Sequence, residues 1–296
     1  MQHTAHCRVQ EGMGKRILFA ALVAVLFTSL APTTKPSIDE QTRQMLAEWK
    51  PRLDQARLNH FTSGPFVIAG DSNRITLAAY CDNTVLAAQS ALRRMYIDKD
   101  LDHPVLILLI ETDATYRRLA KDWLNEPNPS HFGFFQPGRH VMLMNVSTGT
   151  GTLVHELTHA LVDPDFRDIP SWFNEGFASL FEQCTLQDGK ITGLVNWRLP
   201  ALQTAIRENK LSPLREMMKD DDFYNGDRVG INYAEARYLM LYLQEKGMLQ
   251  RYYREFRDHA KSDPAGVKTL ETMVGEGNFD AFEGEWKKWV MGLRFN

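Results

Sequence analysis

At 296 residues, 44% hydrophobic and 24% charged, the chain has the composition of a globular protein with a sizeable core, which excludes disorder as its global state. The length fits one two-lobed domain or two small ones. With a net charge of −3 and no Lys/Arg-rich run, the chain carries no electrostatic footprint for nucleic acid, and no nucleic-acid partner is expected.

Lys15 and Arg16 precede a mostly apolar run, ILFAALVAVLFTSLA, residues 17–31, with Met13 as an alternative start. A short positive region followed by such a run reads as an export signal. Ser29-Leu30-Ala31 has the small-x-small form of a cleavage site, but Pro32 follows it and disfavours cutting. Residues 1–34 are therefore expected to be a signal peptide or an N-terminal anchor. The run is shorter than the ~20 residues of a comfortable span. The expectation is an exported protein, periplasmic or extracellular, touching a membrane only through residues 17–31 if they are retained. Cys7 precedes this run, leaving Cys81 and Cys184, which either form one disulfide or stay as buried thiols.

After a Pro/Thr/Ser linker, residues 38–61 have helical spacing. FVIAG (66–70) reads as a strand, 74–97 as a helix, HPVLILLI (103–110) as a strand buried on both faces, and 113–123 as a helix. This alternation predicts a small α/β layer. Residues 132–146 read as two short strands around a turn at Gln136-Pro137-Gly138. Gly149 and Gly151 are not a phosphate loop, because no Gly-Lys-Ser/Thr follows. One of Thr148, Thr150 and Thr152 is expected to cap the next helix, with the glycines permitting a close approach. Asn145-Val146-Ser147 matches a glycosylation acceptor but falls in a strand. Beyond Pro200 the pattern is helical over 201–209, 232–245, 250–261, 267–274 and 279–293.

The informative stretch is LVHELTHALV, 153–162. His155 and His159 are four apart, so a helix puts both rings on one face, where their nitrogens converge on one ion. Glu156 then sits beside the ion, where a base must be to take a proton from water. The alternative is a core helix with two hydrogen-bonded histidines. A second segment, WFNEGFASLFE (172–182), reads as a further helix, with Phe173, Phe177 and Phe181 along one side. The intervening DPDFRDIPS, rich in turn-forming and charged residues, brings the chain back. Glu175 then supplies a third ligand, and two histidines with one glutamate leave the open position of a catalytic site.

HELTH followed by WFNEGFASLFE resembles the gluzincin metallopeptidases, and the shorter spacing, the export signal and the α/β lead-in look more like the small bacterial proteins grouped as peptidase MA-like than like the aminopeptidase branch. The close match covers residues 153–182. The resemblance implies Zn2+ as cofactor, His155, His159 and Glu175 as its ligands, and Glu156 as general base. It implies a tyrosine or histidine on a later helix that stabilises the oxyanion, for which Tyr233 is the candidate and Tyr224 and His259 are rivals. It also implies that the strand 141–145 is an edge along which an extended peptide lies. Two departures stand out. No Gly-x-Met-Glu-Asn motif precedes the helix, which puts aminopeptidase activity in doubt. Ser179 replaces the aspartate that thermolysin-type enzymes carry four residues after the third ligand, so support for the histidines must come from elsewhere, with Asp163 and Glu182 as the candidates.

The expected fold is α+β: a small N-terminal α/β lobe with the edge strand (35–148) and a mainly helical zinc-binding catalytic lobe (149–296), with the zinc in the cleft. The expected function is that of a zinc metallohydrolase acting on peptide or protein. The alternatives are a non-catalytic envelope binding or assembly protein on the same fold, and a zinc amidase acting on a non-peptide or cell-wall bond.

Overall fold

In the computed structural model of the protein, residues 36–219, 222–224, 226–275 and 277–295 are described. The apolar run and Cys7 lie outside them. Among the described residues no helix is long and apolar enough to cross a membrane.

The chain builds a mixed α+β structure. Helix α1 (Ile38–Gln55) starts at Ser37, whose hydroxyl accepts from the Glu40 N–H. It ends earlier than the spacing predicts. Arg57 takes a left-handed φ of 57°, and the apolar Phe61 belongs instead to strand β1 (Asn59–Ser63). β1 pairs antiparallel with β2 (Phe66–Gly70), and β2 pairs parallel with β3 (Val105–Ile110). Between them run α2 (Arg74–Tyr80), a π-helical turn (Cys81–Leu86) and α3 (Ala87–Met95). After α4 (Asp113–Leu124) come β4 (Gly133–Gln136) and β5 (Val141–Asn145). The sheet order is β1-β2-β3-β5-β4, a parallel centre with an antiparallel strand at each edge.

The period-2 alternation of strand side chains divides the core in two. Val105, Ile107 and Leu109 face one cluster, while Leu106, Leu108 and Ile110 face the other with α1 and α4. This two-sided burial is why β3 reads as an unbroken apolar run. The larger cluster also holds α5 (Gly151–Val162), α6 (Ser171–Leu180), α9 (Val229–Glu245) and the later helices, so sheet and helices share one core. Phe173, Phe177 and Phe181 stack along one side of α6 against Tyr96, Tyr253 and Phe256, ring centroids 5.0–6.1 Å apart.

A hairpin absent from the expected elements, β6 (Cys184–Gln187) and β7 (Lys190–Gly193), turns at Asp188-Gly189, both with positive φ. The remaining helices are α7 (Leu199–Arg207), the short α8 (Leu214–Met217), α10 (Leu249–His259), α11 (Val267–Val274) and α12 (Phe279–Gly292).

Four local expectations resolve here. Cys81 and Cys184 are both free thiols. Asn145 is buried in β5, its amide donating to Asp113 and to the His131 carbonyl, so the glycosylation triplet is a packed strand end. Thr150 is the N-cap of α5 by position but makes no capping bond, and the Thr148 hydroxyl donates to the Asn145 carbonyl instead. β5 is not an edge strand. It pairs with β3 on one side and β4 on the other, so its backbone groups are spent and the edge nearest α5 is β4.

Candidate metal centre

α5 is apolar around most of its circumference, and Leu153, Leu157, Ala160 and Leu161 are buried. His155, Glu156 and His159 stand out as its polar stripe. Gly151 opens the helix because a Cβ there would overlap the carbonyl oxygen of Glu182. That close approach sets the start of α5 against the end of α6. α6 supplies Glu175 and Asn174, and Glu182 lies two residues past its end.

The side chains converge. His155 Nε2 lies 3.0 Å from His159 Nε2, and Glu175 Oε2 lies 3.4 Å and 3.6 Å from the two nitrogens. Ligands placed tetrahedrally at about 2.0–2.1 Å from one ion are about 3.3 Å from each other. The three observed separations bracket that value, and this buried group fits a metal ion.

The hydrogen bonding fits as well. His159 Nδ1 is 2.9 Å from Asn174 Oδ1, an acceptor, so Nδ1 carries the proton and Nε2 presents a lone pair. His155 Nδ1 faces Glu182 Oε1 at 3.5 Å, a charge contact without a hydrogen bond. Glu175 Oε2 is buried with no hydrogen-bond partner. Three lone-pair atoms aimed at one point repel one another unless a cation sits between them. Electrostatics favour positive charge at that point. Burial alone would lower the His155 pKa, but Glu175, Glu182 and Glu156 outweigh it and push it up to about 10. Burial likewise opposes ionisation of Glu175, but the two histidines outweigh it and hold the carboxyl well below its usual range.

Supporting groups surround the triad. Arg198 grips Glu182 with two bonds, Nη2 to Oε1 at 2.8 Å and Nε to Oε2 at 3.1 Å. Of the two expected partners for the histidines, Glu182 stands beside His155, whereas Asp163 is exposed at the end of α5 and Asn174 takes the place beside His159. Asn174 is the residue before Glu175 in NEGFA, and the sequence reading passed over it. Ser179 is buried, with its hydroxyl unpartnered.

Glu156 is half-buried beside the histidines and accepts from the Phe135 N–H of β4 at 3.1 Å. Burial raises its pKa, Glu175 adds to the rise, and both histidines and the Phe135 N–H oppose it. Of the three candidate oxyanion groups, Tyr233 borders the cavities on both sides of the triad. The Tyr224 hydroxyl donates to Glu175 Oε1 at 2.8 Å, which leaves Oε2 as the free oxygen. His259 is exposed at the end of α10, where its Nδ1–H donates to the Glu255 carbonyl.

Compared with protein-family models and with curated proteins, the sequence finds no match.

Proposed function

We propose that the protein is an exported zinc hydrolase of the gluzincin type that cleaves amide bonds in peptides or proteins. One observation carries this reading: two histidines one turn apart and a glutamate from the next helix aim three lone pairs at one point, with the Glu156 carboxylate beside it. A structural ion site has no use for a carboxylate in that position, whereas hydrolysis needs a base there. When bound, zinc would polarise the substrate carbonyl and acidify water in the cleft.

The chain's own residues do the rest. His155, His159 and Glu175 would hold the ion, with Asn174 fixing the His159 tautomer and the Glu182 carboxylate facing the far ring nitrogen of His155. Glu156, held beside the ion site by the Phe135 N–H, takes the proton from water and delivers it to the departing nitrogen. The Tyr233 hydroxyl, facing the site from α9, donates to the oxygen that gains charge. Edge strand β4 offers outward backbone groups for an extended chain.

The test is zinc content by elemental analysis, together with turnover. Wild-type protein should hold one zinc per chain, Glu175→Ala should lose it, and Glu156→Gln should keep it but cease to hydrolyse. Failure to take up zinc after reconstitution at neutral pH, or wild-type turnover in Glu156→Gln, overturns the reading.

A further inference from the structure

We propose that the groove binds an internal stretch of an extended, apolar polypeptide, not a chain end; this rests on the hydrolase reading above. Two cavities meet at His155. The larger, about 1050 Å³, follows the first half of α5 through Thr152 and Val154. The smaller, about 320 Å³, follows the second half through His159 and Val162. Both are bordered by His155, Glu156 and Tyr233. The ion site thus lies along a groove, not at its closed end. The larger cavity alone reaches the top of the roughly 300–1,000 Å³ range of whole small-molecule sites, so it has room for a segment of chain.

The edge strand spans both halves. Phe132 and Gly133 border the larger cavity, and Phe135 and Pro137 border the smaller. The Asn145 N–H donates to the Phe132 carbonyl, so Phe132, Phe134 and Gln136 turn their backbone groups toward β5. Gly133 and Phe135 turn theirs outward; one of these groups, the Phe135 N–H, is taken by Glu156, and the others face a docked chain. A chain laid along β4 would be held on both sides of the bond at the triad.

Charge argues against a chain end. Among the described residues bordering the two cavities, Arg198 is the one arginine or lysine, and Glu182 holds it with both oxygens. A terminal carboxylate finds no free counter-charge there. No carboxylate is set apart for a terminal amine either: Glu182 is paired with Arg198, Glu175 belongs to the ion site, Glu156 stands beside it accepting from the Phe135 N–H, and Asp163 is exposed at the rim, where water screens it. A terminal charge left unpaired in the groove is costly. Apolar side chains find their contacts in one part of the larger cavity, beside its threonines. Phe132, Trp197 and Val229, three of the exposed large apolar residues, border the larger cavity, with Phe181 and Leu186 also lining it.

The test uses the zinc-loaded full chain and apolar peptides long enough to span both cavities. Each is supplied with free ends and with an acetylated N-terminus and amidated C-terminus, and products are read by mass spectrometry. Blocked and free peptides should be cut at the same internal bond at similar rates. A Lys or Asp placed next to that bond should slow cleavage at least about tenfold. Leu186→Lys, checked for wild-type zinc content, should slow apolar peptides selectively. Trimming of free-ended peptides with the blocked ones intact overturns this proposal and leaves the hydrolase reading standing. No cleavage of any peptide by zinc-loaded protein, with wild type and Glu156→Gln alike, overturns both.

Discussion

Gly176 packs against the backbone of Ala236: a Cβ on Gly176 would lie 2.9 Å from the Ala236 carbonyl carbon, carbonyl oxygen and Cβ. This contact joins α6 to α9 at the residue next to Glu175. Gly176→Ala sets two effects against each other. Helix propensity favours alanine by about 1 kcal/mol, while overpacking costs roughly 1–3 kcal/mol. With backbone as the obstacle, overpacking should win. The variant should melt below wild type in a thermal scan and bind zinc more weakly in a chelator competition, because α6 must move and carry Glu175 with it. Adding Ala236→Gly should restore part of both. A Gly176→Ala protein that melts higher with unchanged zinc affinity would contradict this account.

Asn174 holds His159 in the tautomer that frees Nε2. Removing such a partner typically weakens metal binding about 10–100-fold. Asn174→Ala should show a loss of this size by competition titration, with circular dichroism unchanged. Asn174→Asp keeps an acceptor and should retain most of the affinity. Equal affinity in wild type and Asn174→Ala would mean that the tautomer is set by another group.

The sheet was legible where one physical signal dominated. FVIAG coincides with β2, and VLILLI is β3, because burial on both faces leaves no polar position. Helix starts and ends drifted where the chain turned without Gly or Pro. Arg57 takes a left-handed φ inside an otherwise helical pattern, and helical spacing contains no cue for that. The β6–β7 hairpin was legible and passed over: Asp188-Gly189 between CTLQ and KITG is a turn signal with alternating flanks. At the site, the convergence of His155 and His159 was readable from their spacing on one helix, whereas Glu175 comes from the next helix and was placed by the turn between the two and by the family resemblance. β5 instead of β4 was taken as the edge because strand order depends on long-range pairing, which nothing local encodes. Asn174 was missed for a similar reason, since its role appears only when α6 folds back on α5.

Asp165 ties the helical layer to the loop after α3. Its carboxylate accepts from the Asp98 and Lys99 N–H groups, the Tyr253 hydroxyl and Arg257, at 2.9–3.1 Å. The side chain is fully buried. Removing one partner of a buried pair costs about 3–5 kcal/mol. Asp165→Ala should therefore lower Tm by on the order of 10 °C, at roughly 2–4 °C per kcal/mol for a chain of this size. Asp98→Ala removes an exposed partner of the same arginine and should shift Tm by little. Similar melting of the two variants would show that Asp165 is not the tie.

Glu235 offers a test of the fold's pH dependence away from the metal ligands. It is completely buried on α9, and Oε1 has no hydrogen-bond partner. Burial pushes its carboxyl up to about 8; Arg228, 3.4 Å from Oε2, and Lys287 oppose this, and Glu283 adds to it. The folded-state pKa is thus above that of the unfolded chain, about 4.3. The folded protein keeps a proton that the unfolded chain releases, so the contribution to stability is complete below about 4.3. It declines by up to about 1.4 kcal/mol per pH unit as the pH rises toward 8, and then levels off. Glu235→Gln keeps the shape and removes the titration. The Tm difference, variant minus wild type, should be near its minimum around pH 5 and grow steadily up to pH 8. Parallel Tm profiles for the two proteins across that window would show that Glu235 does not titrate as its burial requires.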